Sequence, residues 1–271
     1  MTTTRAAAPT TGDVRAGSTP LAGVVRHLAW RGIIRMRRLP ALLIPIIVMP
    51  MFFAIAYTGT FDGLTDVRGY PTDRVINWVL AFSVLQGAQF AGIGAAGVVS
   101  NDLDNGFIDR LLVAPVNRAA IVLGPLGYAA VRSLVPTTLV LAAGFAAGAR
   151  LEGGPAGLVT LYLGAMGFAM VIGLFGIAMV LRIGNIRAMT VVQLLAFLAL
   201  FVSIGQVPLT LLTGWLHDAA RFNPVTNVLR FARQGFLGPV TWDQTWPGLV
   251  ALAGMAAPFV VWIRVELRRL G

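Results

Sequence analysis

From residue 41 onward the chain alternates between long apolar runs and short connections that carry arginine, glycine and proline. The runs lie at about 41–58, 75–99, 120–148, 156–181, 188–207 and 246–263. Each approaches the ~20 residues that a helix rising ~1.5 Å per residue needs to cross ~30 Å of hydrocarbon. The pattern predicts an all-α integral membrane protein with six spans. Pro45 and Pro50 fall in the first run, where a membrane helix tolerates them if the freed carbonyls find partners. Between the fifth and sixth runs, residues 208–245 hold apolar patches too short to span and broken by Pro, Gly and Arg. They predict short re-entrant helices at the outer interface, buried against protein.

Ahead of the runs the pattern changes twice. Residues 1–20 are rich in Thr, Ala, Pro and Gly without any apolar period, which predicts a flexible tail followed by one membrane domain over 21–271. Leu21, Val24, Val25 and Leu28 then stand at i, i+3, i+4 and i+7, one face of a helix, among Arg26, Arg31, Arg35, Arg37 and Arg38. This predicts a basic amphipathic helix on the membrane surface, its apolar face lapsing at Gly32 and Arg35.

Composition agrees with a membrane protein and narrows the chemistry. Hydrophobic residues make up 57% of the 271 and charged residues 12%, about half the charged share of a soluble domain. An ordinary cytoplasmic enzyme, a disordered chain and a nucleic-acid-binding module are excluded on that ground. The chain has no cysteine, so thiolate and disulfide chemistry are absent, and all 21 basic residues are arginine. A phosphate-binding P-loop needs a lysine to reach the β/γ-phosphates, so this chain carries no Walker A site. His27 and His217 stand far apart without companions and suggest no metal site.

The net charge of +10 is distributed as in an oriented membrane protein. With the N-terminus in the cytoplasm, fourteen arginines fall on the inner side and six outside (Arg68, Arg74, Arg150, Arg221, Arg230 and Arg233), which places both termini inside. Arg132 lies within the third run and is either an interfacial anchor or part of a substrate path. No Asp or Glu occupies the middle of a run, which weighs against proton- or sodium-coupled transport. Gly92, Gly94 and Gly97 match the dinucleotide-binding G-x-G-x-x-G spacing literally. That fingerprint needs a strand before it, so inside a span the glycines signal close helix packing, as do Gly144 and Gly148.

The connection from Ser100 to Arg118 is the most informative stretch. Phe107, Ile108, Leu111 and Leu112 stand at i, i+1, i+4 and i+5, an apolar stripe on one short helix beside Asp104, Asp109 and Arg110. An apolar stripe facing the cytoplasm calls for a partner, either headgroups or another protein. The sequence Asp102, Gly106, Asp109-Arg110-Leu111, Pro115, Arg118 resembles the acidic-x-x-x-Gly…Arg-Leu…Pro…Arg signature of ABC type-2 transporter permeases, most of all the daunorubicin/doxorubicin-resistance group. Asn223-Pro224-Val225-Thr226, Arg233 and Gly238 resemble that family's Asn-Pro…Arg…Gly segment before the last span. Many relatives carry Glu where this loop has Asp102 and Asp104.

The resemblance implies the membrane half of an exporter in a bacterial plasma membrane, paired with a second permease, the same or a related chain. Two ATP-binding subunits would carry ATP and Mg, this chain binding no cofactor itself. It also implies that the 100–118 loop docks on the ATPase, with Asp102, Asp104, Gly106, Phe107, Asp109, Arg110, Leu111, Pro115 and Arg118 as candidate coupling residues. Arg110 is expected to pair with an acidic group of the ATPase or with Asp102 or Asp104, and Phe107 and Leu111 to fill an apolar groove. In the outer segment, Asn223 is expected to cap a helix that begins at Pro224. Arg230 and Arg233, three apart on that helix, either hold it at the interface or meet anionic headgroups or cargo. The nearly uncharged interior favours a lipophilic cargo, a drug or a lipid. The competing classes are an ATPase-independent channel or carrier and a membrane-embedded enzyme; the latter lacks the clustered His, Asp, Ser or Glu it would need.

Overall fold

The computed structural model of the chain describes residues 20–38, 43–113, 116–185 and 187–269. Among these the ordered elements are helices: α1 (Leu21–Arg38), α2 (Ile44–Thr60), α3 (Val75–Asp104), α4 (Phe107–Val113), α5 (Ala119–Ala146), α6 (Gly154–Ile183), α7 (Arg187–Phe201), α8 (Gly214–Phe222), α9 (Pro224–Leu237) and α10 (Trp242–Arg269). The expected tail at 1–20 lies outside the described residues, save Pro20.

Four helices, α3, α5, α6 and α10, are long and apolar enough to cross a membrane. The other two predicted runs form shorter apolar helices, α2 of 17 residues and α7 of 15. The run at 188–207 was expected to be helical throughout, but the helix stops at Phe201. There the Ser203 hydroxyl turns back onto the Leu200 carbonyl, and Gly205 packs so closely on the Phe82 ring that a Cβ would collide with it. An apolar run continues through such a turn, so composition alone does not mark the helix end.

Helix α3 is the axis of the bundle. It is apolar on every side, as a helix surrounded by others must be. In its most apolar stretch 89% of residues are buried by the protein, against 22% in α10, which lies against α6 and α9 along one side only. Close approach to α3 depends on missing side chains. A Cβ on Gly92 would strike the Ala169 carbonyl of α6, one on Gly94 the Arg132 guanidinium of α5, and one on Gly97 would come within 3.1 Å of Met189 on α7. The G-x-G-x-x-G run is therefore a three-way packing junction. Gly144 likewise admits Leu80, whereas Gly148 lies beyond the end of α5 with φ +92° and closes that helix, its left-handed backbone being glycine territory. The polar side chains of Ser83, Gln86 and Gln89 on α3 are fully buried within the bundle.

Helix α1 lies along α5. Leu28 sits over Gly124, Ala29 over Gly127, and a Cβ on Gly32 would come 2.7 Å from the Tyr128 ring. The sequence pattern puts a lapse of the apolar face at Gly32; the structure makes Gly32 the closest point of the contact. A small residue admits a neighbour that a hydrophobicity pattern does not register.

Candidate functional site

At one end of the bundle, α1, the last turn of α3, α4 and the start of α5 meet. Helix α3 ends at Asn105-Gly106, where Gly106 adopts φ +62° and its amide donates to the Leu103 carbonyl at 3.0 Å. Glycine suits that left-handed turn, since a Cβ would be strained there. Arg110, one turn into α4, reaches back to close the same turn. Its Nε donates to the Gly106 carbonyl at 3.2 Å and an Nη to the Asn105 carbonyl at 3.0 Å. Arg110 thus satisfies carbonyls at the helix end, and neither Asp102 nor Asp104 is its partner there.

The partner of Asp102 is Arg31, from α1, 71 residues earlier in the chain. The Arg31 guanidinium also stands 4.2 Å from the centre of the Phe107 ring, so one arginine holds a carboxylate of α3 and the first ring of α4 together. Ile108 is 2% exposed, and Phe107, Leu111 and Leu112 are half-buried against Val98, Val99, Leu28 and Ile121. Most of the apolar stripe therefore faces this chain. The outward surface of α4 consists of Asp104 and Asn105 at its entrance, then Asp109, Arg110 and the 87% exposed Val113. Arg118 is exposed and donates to the Leu267 carbonyl of α10 at 3.4 Å. Pro115 lies outside the described residues.

Two members of this end were missed by sequence reasoning. Arg31 was one charge in a basic helix, and nothing local marks it as the partner of Asp102. Glu266, buried to 6% exposure near the end of α10, receives the Trp262 indole N–H at 3.1 Å and Arg269 at 3.2 Å, with Arg182 of α6 at 3.8 Å. It joins α10 to α6 beneath the same surface. A carboxylate among three cations within a turn of a span end was the available signal.

At the opposite end, Asn223 caps α9 by accepting from the Val225 amide at 3.0 Å, with Pro224 in the first turn. Its own amide donates to the Ala199 and Val202 carbonyls at the end of α7, tying α9 to that helix. Arg233 is 1% exposed. Its guanidinium donates to the Ile204 and Gly205 carbonyls at 3.0 Å each and lies 3.7 Å from the centre of the Trp78 ring. Burial pushes the neighbouring Tyr70 hydroxyl up to about 12, the charge of Arg233 drawing it partly back. Arg230 is exposed and lines, with Arg233, Trp78, Asn227 and Asp243, a cavity of about 460 Å³. Farther along, Gly235 and Gly157 bring the backbones of α9 and α6 into contact.

Arg132 stands midway along α5, buried to 7% exposure. Its side chain turns inward to the space over Gly94, with the guanidinium 5.6 Å from the Tyr128 ring centre. Among the described residues no group of three or more His, Asp or Glu is placed to hold a metal ion.

Comparison with known proteins adds to this geometry. The model of the family described as ABC-2 type transporter matches residues 24–237. The chain is 23% identical over 256 residues to the daunorubicin resistance ABC transporter permease protein DrrB1 of Streptomyces coeruleorubidus, covering 92% of this chain and 87% of that one. It is 25% identical over 229 residues to the probable doxorubicin resistance ABC transporter permease protein DrrC of Mycobacterium tuberculosis, covering 82% and 80%. It is also 24% identical over 226 residues to the putative transport permease ycf38 of Pyropia yezoensis, covering 82% and 76%. Helices long and apolar enough to cross a membrane and a family match across most of its length make this chain a permease of the ABC-2 type transporter family, the membrane part of a transporter whose ATP is hydrolysed by a separate subunit.

Proposed function

We propose that the chain is the permease of an ATP-driven exporter whose ATP-binding subunits dock on the end formed by α1 and α4. In this reading that end is cytoplasmic, both termini lie inside, and α2, α3, α5, α6, α7 and α10 are the six spans of a bacterial plasma-membrane protein. Helices α8 and α9 are re-entrant from the outside. Two permease chains and two ATP-binding subunits, the latter carrying ATP and Mg, make the working assembly. The cargo is a lipophilic drug, a lipid or a similar amphiphile.

One observation carries the docking reading: Arg31 binds α1, the end of α3 and the first ring of α4 into one unit. Since α3 touches α2, α5, α6, α7 and α9, a displacement of α4 by an ATPase is delivered to the axis of the bundle. Asp104, Asp109, Arg110 and Val113 are the residues that meet the ATPase. Gly106, Asp102 and Phe107 shape the element, and Arg118 ties its far end to α10.

The test is a purification of the full chain from its native membrane in mild detergent, with co-purifying proteins identified by mass spectrometry. A stoichiometric ATPase with a Walker A lysine is the expected outcome, and a second permease chain in the sample decides between a homodimer and a heterodimer. A chain that emerges alone even after cross-linking favours the channel or carrier. In the reconstituted complex, Gly106→Pro, which cannot adopt φ +62°, and Arg110→Ala are expected to lower transport-coupled ATPase activity while leaving membrane insertion intact. Full coupling in both variants would remove the loop from the mechanism.

A further inference from the structure

Helix α1 has a second face that the rest of the chain leaves open. The stripe visible in its sequence, Leu21, Val24, Val25 and Leu28, is half-buried, with Leu28 seated over Gly124 of α5. Arg26, Trp30, Ile34 and Arg37 stand at i, i+4, i+8 and i+11, another side of the same helix, and all four are exposed. Trp30 is 51% exposed, and the Arg37 guanidinium reaches back to 6.0 Å from the centre of its ring. Beside this face, against α5, runs a groove of about 450 Å³ lined by Arg26, His27, Ala29, Trp30 and Ile33 of α1 and Val131 of α5.

The charge along the groove has one sign. Neither α1 nor α5 contains an Asp or a Glu. Of the five arginines of α1, Arg31 is taken by Asp102, and Arg35 acts on the same carboxylate. Arg26, Arg37 and Arg38 are exposed and form no ion pair among the described residues. Register sets the depth of the groove. Leu28 meets Gly124 and Gly32 meets Tyr128, so α1 runs beside α5 in the same direction. Counting ~20 residues back from Ala146, the end of α5, puts the edge of the hydrocarbon near Gly127. Trp30 then stands level with the headgroups, where its ring is favoured. Arg37 starts deeper and reaches back to that level, as a charged side chain does at a membrane boundary. Val131, 42% exposed, lies about 6 Å inside the edge.

We propose that this groove holds an anionic phospholipid of the surrounding bilayer. Its charged head lies over Trp30, between Arg26 one turn earlier and the returning Arg37 guanidinium, and its first methylenes pass Val131. Hydrocarbon depth at Val131 excludes a soluble partner from the inner part of the groove. A guanidinium without a carboxylate suits a phosphate, which it meets with two parallel N–H donors. Basic residues beside a span draw anionic lipids out of a mixed leaflet. The sequence stripe is not the surface involved, since α5 covers part of it. The site goes beyond the export reading, and it gives α1, which carries Arg31 on another side, a hold on the bilayer.

The test uses the full chain in neutral maltoside micelles and no ATPase, so its failure is distinct from a failure of the docking reading. Native mass spectrometry follows lipid adducts during titration with dioleoyl phosphatidylglycerol and, as the control without net charge, dioleoyl phosphatidylcholine. One saturable site that prefers the anionic lipid by about tenfold or more is expected. Arg26→Gln and Arg37→Gln each weaken it several-fold, and together they abolish the preference. Trp30→Ala weakens both lipids alike, whereas Arg221→Gln, at the opposite end, changes neither. These side chains are all exposed, so the variants fold. Equal affinity for the two lipids, or an undiminished preference in the double variant, overturns the site. A second copy of the chain is the competing occupant. The sequence has no cysteine, so Trp30→Cys carries a single thiol. No oxidative cross-link between chains is expected through it, and an efficient one would put protein in the groove and overturn the proposal.

Discussion

The two ends of the bundle use arginine in opposite ways. At the α1/α4 end, Arg31 meets Asp102 through side chains that are 41% and 18% exposed, and with the Phe107 ring the contact joins three helices. At the α8/α9 end, Arg233 is sealed under Trp78 and donates to two backbone carbonyls of the chain leaving α7. A partly exposed ion pair contributes only about 0–1 kcal/mol and can be made and unmade at little cost. A buried guanidinium that completes two carbonyls cannot be removed without orphaning them. The first suits an end that moves when a partner binds, the second an end that must stay put while it does.

The contrast can be broken most severely at Arg233. Arg233→Ala leaves two carbonyls without donors and a void under Trp78, an expected loss of about 2–5 kcal/mol. Thermal unfolding in detergent with size-exclusion profiles measures it, and an unchanged midpoint would show that the α9 end is not held this way. Arg31→Asp comes next. It is expected to cost about 1–2 kcal/mol of stability, from the lost pair and the two carboxylates then facing each other, yet to uncouple ATP hydrolysis from transport in the assembled complex. Asp102→Arg in the same chain is expected to restore coupling by reversing the pair; a double variant as uncoupled as the single one would mean that the contact with Phe107, or another role of Arg31, outweighs the charge pair. The smallest effect is expected at Arg230, three residues from Arg233 and exposed. Arg230→Ala should change stability by no more than ~0.5 kcal/mol in the same unfolding measurement, which sharpens the contrast because the two arginines line the same cavity.

Much of this was legible along the chain. The positions of the long apolar runs located the helices, and the mixed polar and apolar connection from Ser100 to Arg118 marked the element between α3 and α5, although α3 itself runs on to Asp104. Asn223-Pro224 announced the start of α9, since a cap and a first-turn proline act within one turn. What stayed hidden depends on distance or on absence. Arg31 and Asp102 are 71 residues apart, and any of five arginines in α1 was an equal candidate. Gly32 looked like a gap because periodicity counts apolar groups, whereas the contact with Tyr128 needs an empty position. The third run left Arg132 either an interfacial anchor or part of a path, because the direction of its side chain is decided by Gly94 on another helix. The expected extent of the fifth run failed because apolar composition continues through the turn after Phe201.

The burial of α3 also has a consequence for biosynthesis. Gln86 and Gln89 must end up enclosed by helices, yet α3 is complete at Asp104 and α7 only at Phe201. At about 5–20 residues per second, the ribosome needs on the order of 5–20 s to supply the intervening chain. Through that interval the emerging α3 exposes two amide side chains that lipid cannot hydrogen-bond; its neighbours later enclose them without supplying a partner among the described residues, so the insertion machinery has to offset the cost of placing them in the bilayer. The helix on which the finished bundle turns is the one least able to wait in lipid alone.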